Sequence, residues 1–392
     1  MRSNSLLCKK LMTSFLSGLM IFSLAGCSEI RQVVYPVEIV EEPEETEPEE
    51  EIEEEAEEPT IIISEQNSEL PELEEEEEVE ISEDEEGLPV TEDGKIVVDF
   101  VIFLGQSNMS GVGGDPEYAP EVPDGWGYEF RAISDPTMLY PIEEPFGKNE
   151  SFIGGICDFP GSKRGSLVSS FICKYYEETG IPVVAVSASE GATTTQKWMS
   201  DAYQADLIMR YTRAIGWLDN NGYKVRKRYA VWLQGESDGA NNVSGEEYVQ
   251  NIGNITRNMF IGGLNKVFII TPGRTLTFRN YFDQIINAQI DLCRTSGYYA
   301  LGTTVLSKTS TEYMKDEWHY NQIVLDLLGE QTAESVAFYT NNKREMCLYD
   351  YKNGETYIPE MFDYTGDEEV EPLDLSNISA LLEFRPSNEN EN

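Results

Sequence analysis

Histidine is almost missing from this chain: a single one, His319, stands among 392 residues. That scarcity excludes a His-rich zinc site and leaves one imidazole for any general base. Cationic side chains are scarce as well, 28 against 72 acidic ones. No Lys or Arg occurs from Glu38 to Asp93, a stretch that holds 29 of the acidic residues. From Lys95 onward, 24 cationic and 42 acidic residues leave a net charge of about −18. Phosphate binding needs clustered cations, so nucleic acid is a poor partner for such a surface. The most basic run, Lys224-Val225-Arg226-Lys227-Arg228, reads as a solvated turn just before a strand. No Cys-x-x-Cys pair occurs, and Cys157, Cys173, Cys293 and Cys347 show no disulfide framework; they read as buried free thiols. No cofactor or metal is expected.

The N-terminus reads as a targeting segment. Arg2, Lys9 and Lys10 precede an apolar run from Leu11 to Leu24, which is short for a membrane span. Leu24-Ala25-Gly26-Cys27 follows, and the whole order resembles a bacterial lipobox. The resemblance implies a signal peptide over 1–27 and lipid on Cys27, which would make the membrane a partner. An ordinary cleaved signal or an uncleaved anchor would equally export the protein. Residues 28–94 are dominated by Glu and Pro and carry few aromatics. They cannot bury enough apolar surface to offset ordering entropy, and like charges extend them, so a disordered acidic spacer is expected.

From Lys95 the texture changes to alternating strand and helix patterns. Buried-type strands are expected over 96–104, 182–186, 229–233, 266–270 and 298–303. Helices are expected over 165–178, 202–218, 246–260, 281–294 and 320–338. This alternation predicts an α/β fold, a three-layer doubly wound sandwich on a parallel five-stranded sheet, filling a domain over 95–345. Residues 346–392 form an extension with no assigned role.

Ligands of such folds bind beyond the carboxyl ends of the strands. There the chain places Gly105-Gln106-Ser107-Asn108, Ser187-Ala188-Ser189-Glu190-Gly191-Ala192-Thr193, Gln234-Gly235-Glu236-Ser237-Asp238, and the loop with Asp316 and His319. A serine hydroxyl becomes a nucleophile when a base takes its proton, and a carboxylate on the far ring nitrogen supports that base. Ser107, His319 and Asp316 are the candidates for those roles.

Gly105-Gln106-Ser107-Asn108-Met109-Ser110-Gly111, Gln234-Gly235-Glu236-Ser237-Asp238 and Asp316-x-x-His319 together resemble the sequence blocks of SGNH-type hydrolases, in the branch of sialate O-acetylesterase-like carbohydrate esterases. The resemblance covers about residues 97 to 340. It implies a flavodoxin-like sheet and hydrolysis of acetylated sugars through a serine acyl-enzyme. It also implies oxyanion donors at the Ser107 and Gly191 backbone N–H groups and the Gln234 side chain, with Gln106 and Asn108 among the oxyanion or substrate-binding residues. One departure stands out: related chains carry Gly-Gly-Thr before a tryptophan, whereas this one has Gly191-Ala192-Thr193 and then Trp198. Glu236 and Asp238 are expected to act by hydrogen bonding behind the site, and Glu190 to be exposed or structural. Of Trp198, Trp232 and Trp318, the last is the best placed to meet sugar.

An exported, lipid-anchored esterase acting on sialic acid, xylan-type or similar glycans is therefore expected. Two alternatives stay open: a carbohydrate-binding surface lipoprotein with a vestigial site, and an esterase for peptidoglycan or lipid esters.

Overall fold

The computed structural model describes residue 71, residues 79–84 and residues 87–346. The expected signal peptide with Cys27, most of the expected acidic spacer, and the extension from Cys347 lie outside the described residues. The elements, in chain order, are β1 (Ser82–Glu83), β2 (Pro89–Val90), β3 (Ile96–Gly105), β4 (Gly127–Phe130), β5 (Leu139–Pro141), α1 (Val168–Thr179), β6 (Val183–Ser189), α2 (Thr195–Trp198), α3 (Asp201–Asn220), β7 (Tyr223–Leu233), α4 (Glu236–Ala240), α5 (Gly245–Ile261), β8 (Lys266–Ile270), α6 (Asp283–Thr295), β9 (Tyr299–Thr303) and α7 (Gln322–Asn342), with two short 3₁₀ turns before α7.

β3 is the axis of the sheet because its side chains are apolar on both faces. Val98, Phe100, Ile102 and Leu104 pack into one core layer with residues of α3, α5 and α6, such as Leu207, Ile252 and Ile285. Val101 and Phe103 enter the opposite layer with Phe171 and Ile172 of α1 and Leu325 and Leu328 of α7. The alternation of side chains along a strand thus builds three layers from one segment.

The strand order is β5-β4-β6-β3-β7-β8-β9. β4 through β9 along this path are parallel, and β5 pairs antiparallel with β4 at the edge. The five expected strands are contiguous, β6-β3-β7-β8-β9, and the β4–β5 hairpin extends the sheet beyond β6. Because the chain fills one flank of β3 with β6 and then the other with β7, the carboxyl end of β3 is a topological switch point. That end carries Ser107.

Three expectations need correction. The acidic spacer does not run to residue 94, since Val90 of β2 pairs with Ile96 of β3. A polar turn makes the reversal, with the Thr91 N–H donating to the Lys95 carbonyl at 3.0 Å and the Gly94 N–H to Thr91 at 2.9 Å. The basic run is strand, not turn. Residues 224–228 lie within β7, and the register with β3 shifts between Val98 and Asp99, leaving Arg226 as the extra residue. Arg226 reaches the fully buried Asp99, its Nε at 3.1 Å from Oδ1 and its second nitrogen at 2.5 Å from Oδ2. A buried carboxylate needs such a partner, so a bulge that re-aims an arginine is favoured here. Finally, Cys157, Cys173 and Cys293 form no disulfide among the described residues, but only Cys293 is buried.

Candidate active site

β3 leaves the sheet at Gly105, whose φ is 150°. A Cβ there would lie 2.0 Å from the Leu233 carbonyl oxygen of β7, so glycine alone permits the turn. The turn delivers Ser107, 8% exposed, to the edge of the sheet. The Ser107 carbonyl accepts from Val112 N–H at 3.0 Å, while its own N–H has no acceptor among the described residues.

β6 ends beside it. A Cβ built on Gly191 would stand 3.5 Å from Ser107 Cβ and 3.9 Å from Ser107 Cα, so the Gly191 backbone abuts the serine. Its N–H donates to Asp158 Oδ1 at 3.2 Å. Ala192 adopts φ 57°, the left-handed conformation that glycine takes freely. A side chain there costs about 1 kcal/mol, which explains why glycine suits the position, yet the backbone keeps the required shape.

Asp316 and His319 sit in a small reversed loop. Met314 and Tyr320 form an antiparallel bridge, and Lys315 N–H donates to the His319 carbonyl at 2.8 Å. Within the loop, Asp316 Oδ1 accepts the backbone N–H groups of Trp318 at 2.8 Å and His319 at 3.0 Å. The His319 ring lies with Nδ1 at 2.9 Å from Oδ1 and 2.8 Å from Oδ2. An ionised carboxylate only accepts, so Nδ1 carries the proton and Nε2 is left as the base. Burial pulls the Asp316 carboxyl upward, but hydrogen bonds from the His319 ring and the loop backbone outweigh it and hold the group below its ordinary range.

Asn108 couples this loop to the nucleophile turn. Its Nδ2 donates to the Trp318 carbonyl at 3.2 Å, and its Oδ1 accepts from Tyr320 N–H at 3.4 Å. The residue after Ser107 therefore grips the backbone on both sides of His319. Nδ2 also donates to Glu236 Oε1 at 2.7 Å. Gly191 thus abuts Ser107, and Asn108, the next residue, hydrogen-bonds the loop of Asp316 and His319; among the described residues no hydrogen bond joins Ser107 Oγ to the His319 ring.

Gln234, Gln106 and Asn108 are not delivered to the reaction space. Gln234 is fully buried; its amide nitrogen donates to the Thr193 carbonyl at 2.9 Å and Asp238 Oδ2 at 2.5 Å. With both amide protons engaged, it braces two loops and is not an oxyanion donor. Gln106, 4% exposed, accepts from Ser237 N–H at 3.2 Å. Asn108, 2% exposed, is consumed by the clasp just described.

The acidic groups behind the site are structural in the expected sense. Asp238 accepts from Thr195 N–H and from Thr195 Oγ1, the latter at 2.5 Å. Glu236 is buried, and its Oε2 has no hydrogen-bond partner among the described residues. Burial pushes both carboxyls up, offset in part by Asn108 for Glu236 and by Thr195 and Gln234 for Asp238. Glu190 is buried too, taking hydrogen bonds from Cys157 N–H, Tyr203 and Lys197. Trp198 and Trp232 are core residues, whereas Trp318 is 37% exposed.

Two further residues at the site carry no sequence signal. Asp158 accepts from Gly191 N–H and from Ser110 Oγ at 2.6 Å. Lys163 stands 4.0 Å from it and donates to Ser189 Oγ at 2.8 Å. Burial lowers the Lys163 ammonium to about 8, against the opposing pull of Asp158. Both lie between β5 and α1, in a segment with neither helical nor strand periodicity, so nothing in their spacing marks them.

Comparison with known proteins follows the same residues. The family model described as carbohydrate esterase, sialic acid-specific acetylesterase, matches residues 97–337, more than half of the chain. No curated protein matches. Among solved structures, a protein from Arabidopsis thaliana is 18% identical, with 62% of this chain and 99% of that chain covered and a TM-score of 0.43. A carbohydrate acetylesterase from Xanthomonas citri is 13% identical, with 67% and 62% covered and a TM-score of 0.42. The psychrotrophic esterase EstA from Pseudoalteromonas is 11% identical, with 62% and 100% covered and a TM-score of 0.36.

Proposed function

This chain belongs to the sialic acid-specific acetylesterase family of carbohydrate esterases and is a carboxylic ester hydrolase; from that premise we propose that it removes O-acetyl groups from a carbohydrate through an acyl-enzyme on Ser107. His319 Nε2 takes the Ser107 proton as Oγ bonds to the acetyl carbonyl carbon. The negative charge moves to the carbonyl oxygen, where the unengaged Ser107 N–H receives it; the Gly191 N–H joins it only by releasing Asp158 Oδ1. Each such donor is worth roughly 3 to 4 kcal/mol in the transition state. The ester C–O bond then breaks, and the sugar alkoxide leaves with the proton from His319. Water repeats the sequence on acetyl-Ser107, giving acetate and the free serine. Asp316 stabilises the imidazolium in both halves.

The observation that carries this reading is the pairing of His319 Nδ1 with both oxygens of Asp316, in a loop held by Asn108, the residue beside Ser107. Acetate release from 4-nitrophenyl acetate and from acetylated sugars tests it. Ser107→Ala is expected to lower kcat by at least about 10⁴-fold and to abolish labelling by a fluorophosphonate. Undiminished hydrolysis by Ser107→Ala would overturn the mechanism, and glycan binding without labelling of the unaltered protein would favour a vestigial site.

Export and a lipid anchor on Cys27 complete the proposal, supported by the ordered cations, apolar run and Leu24-Ala25-Gly26-Cys27. The acidic spacer would then hold the catalytic body off the membrane. A Cys27→Ser protein that still partitions with membranes would refute the anchor.

A further inference from the structure

A contiguous apolar surface adjoins the catalytic loop. Leu276 is 44% exposed, Phe278 60%, Tyr281 41% and Trp318 37%. The rings of Phe278 and Tyr281 are near-parallel, 22° apart with centroids 6.0 Å distant. Trp318 meets Tyr281 at 64° and 6.0 Å, so the indole stands across the end of the pair. Phe282, 1% exposed, contacts both Tyr281 and Trp318 and roots the cluster in the core. Scattered exposed hydrophobics need no explanation, but a contiguous patch of large rings does.

The patch is fixed to the reaction centre by hydrogen bonds. Thr275 N–H and Phe278 N–H close a turn, donating to the Phe278 carbonyl at 3.1 Å and to Thr275 Oγ1 at 2.8 Å. Glu317 then locks that turn to the loop of His319. Its carbonyl accepts from Leu276 N–H at 3.0 Å, and its carboxylate accepts from Thr277 N–H at 3.1 Å and Thr277 Oγ1 at 2.9 Å. Trp318 is covalently next to His319, and its carbonyl is held by Asn108, the neighbour of Ser107. Platform and base therefore move as one piece.

We propose that Phe278, Tyr281 and Trp318 form a binding subsite for a pyranose ring of the oligosaccharide whose acetyl group lies at Ser107. The inference rests on the carbohydrate esterase reading and adds to it which residues hold the sugar. One face of a pyranose presents C–H groups, and aromatic faces are electron-rich, so the two surfaces are complementary in shape and charge. The sugar hydroxyls at the rim meet the carboxylates of Asp316, whose side chain is 53% exposed, and Glu317. An acyl chain would need an enclosed apolar slot; an open corner of rings flanked by carboxylates fits a sugar.

Calorimetric titration of Ser107→Ala protein with xylohexaose and with sialyllactose tests the subsite without turnover, and separates a neutral from an anionic glycan. At least one should bind, and adding Phe278→Ala or Tyr281→Ala should weaken binding about fivefold. Phe278 is largely exposed, so its truncation leaves the core intact. Failure of both sugars to bind, or equal affinity in both ring variants, would overturn the subsite. Acetate release from 4-nitrophenyl acetate by the unaltered protein is the separate measure of the esterase reading. Its failure beside ring-dependent sugar binding would condemn the chemistry and leave the subsite standing.

Discussion

Two acidic segments leave the same edge of the sheet, and they do opposite work. Gln234 to Asp238 is buried except at Ser237, and its side chains are spent on neighbouring loops. Asp316 to His319 is a surface loop in which one carboxylate collects two backbone N–H groups and an imidazole. The physical consequence appears in the protonation of the acids. Glu236 and Asp238 are pushed up by burial, whereas Asp316 is held down because its hydrogen bonds outweigh its burial. An acid that must stay charged to support a cation belongs in the second kind of place. The lesson is that a dense polar motif at a strand end is as easily a brace as a reagent.

The sharpest way to break the comparison is to neutralise the exposed acid. Asp316→Asn keeps the size of the side chain but offers Nδ1 a donor in place of an acceptor, or forces the wrong tautomer. The expected loss in kcat is about 10⁴-fold, with folding stability changed by less than about 1 kcal/mol because the group is partly solvated. Steady-state kinetics beside a urea melt reads both. A variant that loses stability but keeps kcat would make Asp316 a brace after all.

Removing the buried acid should do the reverse. Asp238→Ala leaves Thr195 N–H, Thr195 Oγ1 and one Gln234 proton without their acceptor. Such orphaned donors cost roughly 3 kcal/mol together, visible as a lower urea midpoint. Protein that remains folded should keep kcat within about tenfold, since no atom of Asp238 meets the reacting groups. A collapse of kcat at unchanged stability would move Asp238 into the chemistry.

Much of this could be read in the chain because the signals are local. The strand of Val97 to Leu104 needs no partner to be legible, since a run that is apolar at every position but Asp99 fits a doubly covered place in a sheet. Asp316 and His319 are three residues apart, so their pairing is settled within one loop. Gln234 misleads for the opposite reason: a terminal amide can face a substrate or a neighbour, and Asp238 and Thr193 decide which. β4 and β5 escape because strands of four and three residues carry too few alternations to stand out. Arg226 escapes because its partner, Asp99, is distant in sequence, and a cluster of cations otherwise looks like a wet turn. Asp158 and Lys163 are functional neighbours only through the fold.

The smallest effect concerns Glu236, and it turns on pH. Its carboxyl is raised by burial, so between the ordinary glutamate value and the raised one the native state binds more of this proton than the unfolded chain does. Stability from this group is intact below the ordinary glutamate range and falls as pH rises from that range through the raised native value. Asp316, with its lowered value, has the opposite sign and weakens the fold only as pH falls. Glu236→Gln deletes the first slope while Oε1 can still accept from Asn108, and the slopes of Asp238 and Asp316 cancel between variant and parent. The melting temperature of Glu236→Gln should therefore gain on the parent by roughly 2 °C as pH rises from the ordinary glutamate range toward the raised native value. Parallel profiles would mean that Glu236 is charged in the native protein, and the contrast between buried and exposed acids would then rest on Asp238 alone.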